Sequence, residues 1–361
     1  MFIIKGATKM MRKKLLAVGM MLIMLLVSAC GTNDSKQQNG ASQNAAKPIG
    51  EEKFDYIFGH GAAEKSIGDL YCHKFKELVE AKSGGAITVE VYSGNQLGTY
   101  GEMMQSLQNG DIGGMIFQPS PAVSFVPELA VLDIPYAFLG MKQDKIDKVL
   151  NNSKYADMLR KSFADKGYKY VSMAQAASFR ETTSNKEIHK VEDFQGLKIR
   201  TLENNNHIEF WKSIGANPTP IAFGELYLSL QQHLVDAQEN PYDTALNAGF
   251  PEVQKYLVET HHILYPNIFL VNKAKYDSMP DNYKKVFDEA AAEAKKYAED
   301  VMKKSAVDDR KKMIAAGMQD IELDQSVLQK LKEMSFDKVT DQVRSQVGDS
   351  TMQAFLEALK N

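Results

Sequence analysis

Arg200 and Asn240, forty residues apart, are side chains of this sequence suited to hold an anion, and a further arginine, Arg180, stands twenty residues before the first. A guanidinium keeps its charge at any ordinary pH and presents a planar fork of donors that fits a carboxylate; a lysine lacks that fork. An amide beside it adds one neutral donor and one acceptor. Taken singly, each of these residues could equally be a solvated surface arginine or a turn-forming asparagine.

Their elements give them a place. Leu197 and Ile199 form a short apolar run that ends at Arg200, and Val235 to Glu239 forms another that ends at Asn240-Pro241. Between them, Ile208, Trp211 and Ile214 recur at helical spacing up to Gly215. Ala216 to Phe223 carries two prolines and reads as an extended edge, and Gly224 to Gln232 repeats the helical stripe through Leu226 and Leu230. The order is strand, helix, strand, helix, strand. In such alternating units ligands sit beyond the carboxyl ends of the strands, where Arg200 and Asn240 are.

From Phe54 to Gln118 the pattern predicts two β–α–β units. Their strands are Tyr56–Phe58, Ile87–Tyr92 and Met115–Phe117, and their helices run over 66–83 and 100–109. The strand exits offer His60 and Gln118 to the same cleft, although a lone histidine beside glycine is also an ordinary loop residue. An apolar, proline-punctuated stretch over 119–140 and a helix over 142–166 follow. Tyr168–Met173 then predicts a strand continuing through Ala177 to Phe179-Arg180, a hinge crossing into a second lobe. His262–Asn272 reads as one long buried strand that returns the chain. Pro280-Asp281 opens a helical pattern to about Ala316, closed by Gly317. At 1.5 Å per residue it spans roughly 45 Å, longer than one small lobe. It is expected to lie as a spine across both lobes, with an exposed coiled coil as the alternative. Two further helices are expected over 325–359.

The chain has 361 residues, enough for two domains, and a formal net charge of −3, which gives no bulk attraction for nucleic acid. Lys9, Arg12, Lys13 and Lys14, the apolar run Leu15–Leu26 and then Val27-Ser28-Ala29-Cys30 resemble a bacterial lipoprotein signal. The expectation is a signal peptide over 1–29, diacylation of Cys30 and a flexible tether over 30–53, rich in Ser, Asn, Gln and Gly; an uncleaved anchor is the alternative. Translation starts at Met1, Met10 or Met11. Cys72, the other cysteine, reads as a small buried hydrophobe. Nothing points to a cofactor: there is no nucleophile elbow, phosphate loop, dinucleotide glycine pattern or zinc spacing. Glu203 with Glu225 could make a hydrolase carboxylate pair, but nothing fixes their separation. The chain is read as a non-enzyme.

Four blocks, ETTSNKEI (181–188), DFQGLKIR (193–200), GANPTPIAFGELYLSLQ (215–231) and VDAQENP (235–241), resemble the solute-binding subunits of tripartite ATP-independent periplasmic (TRAP) transporters. The similarity runs from about Phe54 to the C-terminus. It implies an α/β periplasmic-binding-protein-like fold: one lobe over 54–176 plus 265–305, a second over 177–264 plus 306–361, and a cleft between them. It also implies a monomeric receptor working with TRAP membrane subunits, and a small organic acid as ligand. Arg180 and Arg200 match, at the family's spacing, the two arginines the family presents to its ligand. Phe223 matches an aromatic packed on the ligand, Asn240 an amide at its far side, and His60 a pocket-lining position. Sialic-acid binders carry acidic residues where this chain has Thr99-Tyr100 and Phe117-Gln118, which disfavours sialic acid. After Arg200 the chain reads Thr201-Leu202-Glu203-Asn204. A pocket carboxylate at Glu203 would accept sugar hydroxyls and repel a second ligand carboxylate, favouring a uronate or aldonate over a C4-dicarboxylate. Glu203 could instead be a charge stabilised by the start of a helix.

Overall fold

The computed structural model describes residues 49–62, 64–174 and 179–360. The expected signal peptide, Cys30, most of the expected tether and the crossing at 175–177 lie outside the described residues.

In chain order the elements are β1 (Phe54–Gly59), α1 (Ile67–Ser83), β2 (Ile87–Tyr92), α2 (Tyr100–Asn109), β3 (Gly114–Phe117), α3 (Gln143–Asn151), α4 (Lys154–Asp165) and β4 (Tyr168–Ala174). Then follow β5 (Phe179–Ser184), β6 (Lys198–Thr201), α5 (Asn205–Ser213), β7 (Asn217–Pro220), α6 (Phe223–Gln231), β8 (Ala237–Asn240), α7 (Tyr242–Asn247) and β9 (Tyr256–Leu264). The chain ends with β10 (Asn267–Asn272), α8 (Lys273–Asp277), α9 (Asp281–Ala315), β11 (Gln319–Glu322) and α10 (Gln325–Lys360). Local chemistry sets several of these boundaries. The Ser66 hydroxyl caps α1, Thr99 and Glu102 form a reciprocal capping box on α2, and Gly84 and Gly110 close those helices in the left-handed region.

The strands form two sheets, ordered β2-β1-β3-β10-β4 and β11-β9-β5-β8-β6-β7. In the first, β1 runs parallel to β2 and β3, and β10 runs antiparallel to β3 and β4. In the second, β5 lies antiparallel between β8 and β9, while β6 runs parallel to β7 and β8. This is a two-lobed mixed α/β fold. The first lobe's core is aromatic: Phe75 packs against Phe58, Phe269 and Phe287 at centroid distances of 5.5, 4.9 and 4.8 Å. Gly114 is required there, because a β-carbon would overlap the Phe58 ring.

Several expectations need correction. The helix over 142–166 is two helices, since Ser153 adopts an extended conformation and its hydroxyl caps α4. The strand over 262–272 is also two: β9 belongs to the second sheet and β10 to the first, and the return crossing falls at Tyr265-Pro266. Strand β11, parallel to β9 at the sheet edge, was not anticipated; only Ile321 of its four residues is buried, so no period-2 pattern exists to read. Residues 49–53 are docked rather than free: Ile49 N–H donates to Ser83 O, and Asn282 Nδ2 and Tyr283 Oη of α9 donate to the carbonyls of Ile49 and Glu52. Helix α9 does span both lobes. Its 35 residues are about 50 Å long. Tyr283, Phe287, Ala290 and Ala294 pack into the first lobe's core, and Met313 packs with Leu226, Leu230 and Leu257 of the second. The segment over 325–359 divides at Gly348, whose φ is 78°.

Candidate functional site

Strand β5 is polar yet lies inside the second sheet, and Arg180, Glu181, Thr182, Thr183 and Ser184 are all buried. Buried polar groups require partners, and the neighbouring strands supply them. Thr182 Oγ1 is 3.1 Å from Thr260 Oγ1. Thr183 Oγ1 donates to Gln254 Oε1 at 3.0 Å and accepts from Gln238 Nε2 at 2.9 Å. Glu181 Oε1 lies 2.7 Å from His261 Nδ1.

Arg180 is fully buried, and its Nε and Nη2 both donate to the carboxylate of Glu239 on β8. Nη2 also donates to Asn240 Oδ1 at 3.0 Å, and the ring of Tyr265 covers the guanidinium at 4.2 Å. Burial works against the arginine's charge, but Glu239 more than reverses it and raises the pKa. Glu239 is held well below the usual carboxylate range: Arg180, His207 and a hydrogen bond from His262 outweigh its burial. Burial keeps His262 neutral despite Glu239. Its Nε2 is 3.0 Å from Glu239 Oε2 and its Nδ1 is 2.9 Å from Thr260 Oγ1.

Arg200, next to last in β6, is equally buried but differently served. Its Nε donates to Ile221 O at 2.8 Å and its guanidinium lies 6.0 Å from the Phe223 ring, but it has no carboxylate partner among the described residues. Burial and the nearby Arg180 push its pKa down to about 10, with Glu239 opposing. On both arginines Nη1 is buried and without a hydrogen-bond partner.

Asn240 is buried beside Arg180, with its Nδ2 donating to Gln238 Oε1 at 2.6 Å. Phe223, in the first turn of α6, is 46% exposed. Gln118 follows β3; its Oε1 accepts from Tyr100 Oη at 2.9 Å and its Nε2 donates to Asn267 Oδ1 at 3.3 Å. Gln118, Asn267 and Tyr265 line a cavity of about 40 Å³ together with Pro241 and Asp243, so residues that follow strands of both sheets, Gln118 after β3, Pro241 after β8 and Tyr265 after β9, meet there. His60 is buried with Nε2 3.1 Å from Asp69 Oδ1, on the α1 side. Glu203 is exposed, just outside the N-cap of α5. Asn204 is that N-cap: its Oδ1 accepts from Asn206 N–H, and its Nδ2 donates to Asp133 Oδ2 and Ser120 O. Its amide is thus engaged at both ends.

Sequence reasoning did not single out Glu239, Tyr265, His207 or Asp133. Two of them leave a trace: Glu239 is a charge inside a strand, and Tyr265 precedes the proline at the crossing. Among the described residues no cluster of His, Cys, Asp and Glu is arranged to hold a metal ion.

Residues 58–346 match the model of the bacterial extracellular solute-binding protein family 7, DctP. The chain belongs to this family. The 2,3-diketo-L-gulonate-binding periplasmic protein YiaO of Escherichia coli K12 is 29% identical over 257 residues, 71% of this chain and 76% of that one. The sugar acid binding protein DctPAm of Advenella mimigardefordensis, solved with galactonate, superposes with a TM-score of 0.79 at 27% identity, covering 86% of this chain and 98% of that one. A TRAP periplasmic solute-binding protein of Desulfovibrio salexigens, solved with orotic acid, does so with 0.79 at 28% identity, covering 85% and 99%. As a DctP-family solute-binding protein of the TRAP type, this chain holds its two buried arginines on strands of its second sheet, one of them under the ring of Tyr265 at the crossing between the sheets.

Proposed function

We propose that this DctP-family protein captures a small carboxylate between its lobes, with Arg200 and Arg180 as the clamp, and that the ligand is a monocarboxylic sugar acid such as a uronate or aldonate. The observation that carries this reading is the pair of buried guanidinium Nη1 atoms without partners among the described residues, one of them on an arginine that has no carboxylate of its own there. A ligand carboxylate would satisfy both and neutralise Arg200, and bidentate arginine–carboxylate pairs are strong and directional. The acids named for the three relatives support a carboxylate, and two of them are sugar acids. Tyr100, Gln118, Asn267 and Asn240 are neutral donors and acceptors suited to hydroxyls. Exposed Glu203 disfavours a second carboxylate near Arg200.

Capture requires no chemistry. Two-lobed receptors close on a hinge, and ligand shifts that equilibrium only by its preference for the closed form. The closed receptor hands its cargo to TRAP membrane subunits as a monomer tethered through lipid on Cys30. The test is a thermal-shift and calorimetric screen of galactonate, galacturonate, succinate, an oxo acid and sialic acid, with product analysis. Stabilisation by the sugar acids without turnover supports the reading. Stabilisation by succinate alone replaces it with a C4-dicarboxylate receptor, and turnover replaces it with an enzyme. Loss of membrane association in Cys30→Ser tests the anchor.

A further inference from the structure

Behind the arginines lies a histidine that faces a carboxylate on each of its ring nitrogens. His207, on α5, is fully buried. Its Nε2 is 3.3 Å from Asp133 Oδ1 and 3.2 Å from Ser120 Oγ, and Ser120 in turn donates to Asp133 Oδ1 at 2.6 Å. Its Nδ1 stands 3.4 Å from Glu239 Oε1, the distance of an ion pair, though too poorly aligned for a hydrogen bond. In a neutral imidazole one nitrogen would turn a lone pair toward an anion; only the imidazolium offers a proton to both. Asp133 is itself fully buried, and its other partners, Ser120, Asn204 and Asn206, are neutral.

We propose that His207 is a buried imidazolium whose proton sets the charge of the binding site, so that the site accepts one carboxylate. This rests on the reading above. The groups facing His207 are Asp133 from the 127–133 turn and Glu239 from β8, with Arg180 of β5 and neutral His262 of β9 behind Glu239. Setting aside Glu181, which is paired with His261 at 2.7 Å, and counting Arg200, the buried group then holds three cations against two anions, one positive charge in excess, which a single carboxylate cancels. With neutral His207 the excess is zero, and a bound carboxylate leaves an uncompensated buried anion. Both carboxylates act to raise the pKa of His207 against its burial, in line with this geometry. A histidine that does not touch the ligand thereby acts as a positioning residue, and carboxylate binding is linked to the presence of its proton.

The test combines nitrogen NMR of the histidine side chains in the ligand-free protein with calorimetry of galactonate from pH 6 to 9. The expected result is one ring protonated on both nitrogens at pH 7.5, lost in His207→Gln, together with galactonate affinity that falls as that ring deprotonates. In His207→Gln affinity should be about tenfold or more weaker at pH 7, with the pH dependence gone. Should that variant not fold, Asp133→Asn serves: the alkaline fall and the NMR transition should move together to lower pH. A neutral His207 at pH 7, or galactonate affinity in His207→Gln within twofold of the parent with an unchanged profile, overturns the proposal. The NMR arm needs no ligand, so failure of every sugar acid to bind counts against the sugar-acid reading while the protonation of His207 is decided separately.

Discussion

The two lobes bury opposite kinds of interior. Behind the first sheet lie interlocking rings of Phe58, Phe75, Phe269 and Phe287, which need only shape and volume. Along β5 of the second sheet lie a guanidinium, a carboxylate and three hydroxyl residues; the first four of these side chains in sequence meet partners on β8 or β9, and Ser184 Oγ accepts from Lys186 N–H. The first interior is held by area removed from water, the second by pairwise satisfaction. Among the described residues the second also leaves buried polar atoms unsatisfied, Nη1 of both Arg180 and Arg200 included, and of the two arginines only Arg200 also lacks a carboxylate, which is where function is best sought.

Substituting Arg200 probes this contrast most strongly. A buried carboxylate deprived of its arginine loses roughly 3–5 kcal/mol, or about two to three and a half decades in dissociation constant. Arg200→Ala and Arg200→Lys should therefore lose nearly all sugar-acid binding by calorimetry, and a change below about fivefold would remove Arg200 from the clamp. Because Arg200 is a buried charge without a carboxylate partner among the described residues, the ligand-free variant should melt no lower than the parent. The aromatic interior should behave in the reverse way. Phe287→Ala should lower stability by about 3–5 kcal/mol, measured by denaturant unfolding, with the site itself untouched. Thr183→Val falls between. It strips partners from Gln254 and Gln238, so a loss of about 1–3 kcal/mol is expected; a neutral result would mean that β5 tolerates apolar packing and that pairwise satisfaction does not hold that interior.

The sequence made the first interior easy to read and the second hard. Period-2 alternation in Ile87–Tyr92, glycines closing α1 and α2, and the Tyr283–Phe287–Ala290 stripe all express burial of apolar surface, which leaves a periodic trace. Arg180, Arg200 and Asn240 could be placed at strand ends, but whether they face solvent or core depends on partners from distant strands. Glu239 and Tyr265 are those partners, 59 and 85 residues from Arg180 in sequence, and no local spacing links them. His207 sat in plain view within a predicted helix; its contact with Asp133, more than seventy residues earlier, leaves no local trace. The break at Tyr265-Pro266 was hidden because apolar residues continue on both sides while the chain changes sheets.

Where the lobes meet, the contrast takes a smaller and titratable form. Asp243 lines the shared cavity with Asp309, and burial, with Asp309 adding, raises its pKa from 3.8 to about 6. A carboxyl whose folded pKa lies above its unfolded value favours the folded state when protonated, so this contribution is present at pH 4 and lost as pH rises through 6. The group is half-buried, and about 1 kcal/mol is at stake. Asp243→Asn should raise the thermal midpoint at pH 7.5 and leave it nearly unchanged at pH 4. Equal gains at both values would mean that the effect comes from packing, and that the boundary behaves like the aromatic interior.

The smallest expected effect sits at the exposed edge, and it separates charge at a distance from charge in contact. Glu203 is solvated, yet its field reaches Arg200. A charge so placed cannot anchor a ligand strongly, because exposed pairs are worth at most about 1 kcal/mol. It can bias a choice between ligands that differ by one carboxylate. Glu203→Gln should leave galactonate binding within about twofold while tightening succinate about two- to threefold, and the gain should shrink in high salt as screening replaces the mutation. A large loss of galactonate would instead make Glu203 a direct hydroxyl acceptor and move the edge residue into the clamp. The selectivity would then lie in paired contacts, as along β5, rather than in an unpaired field.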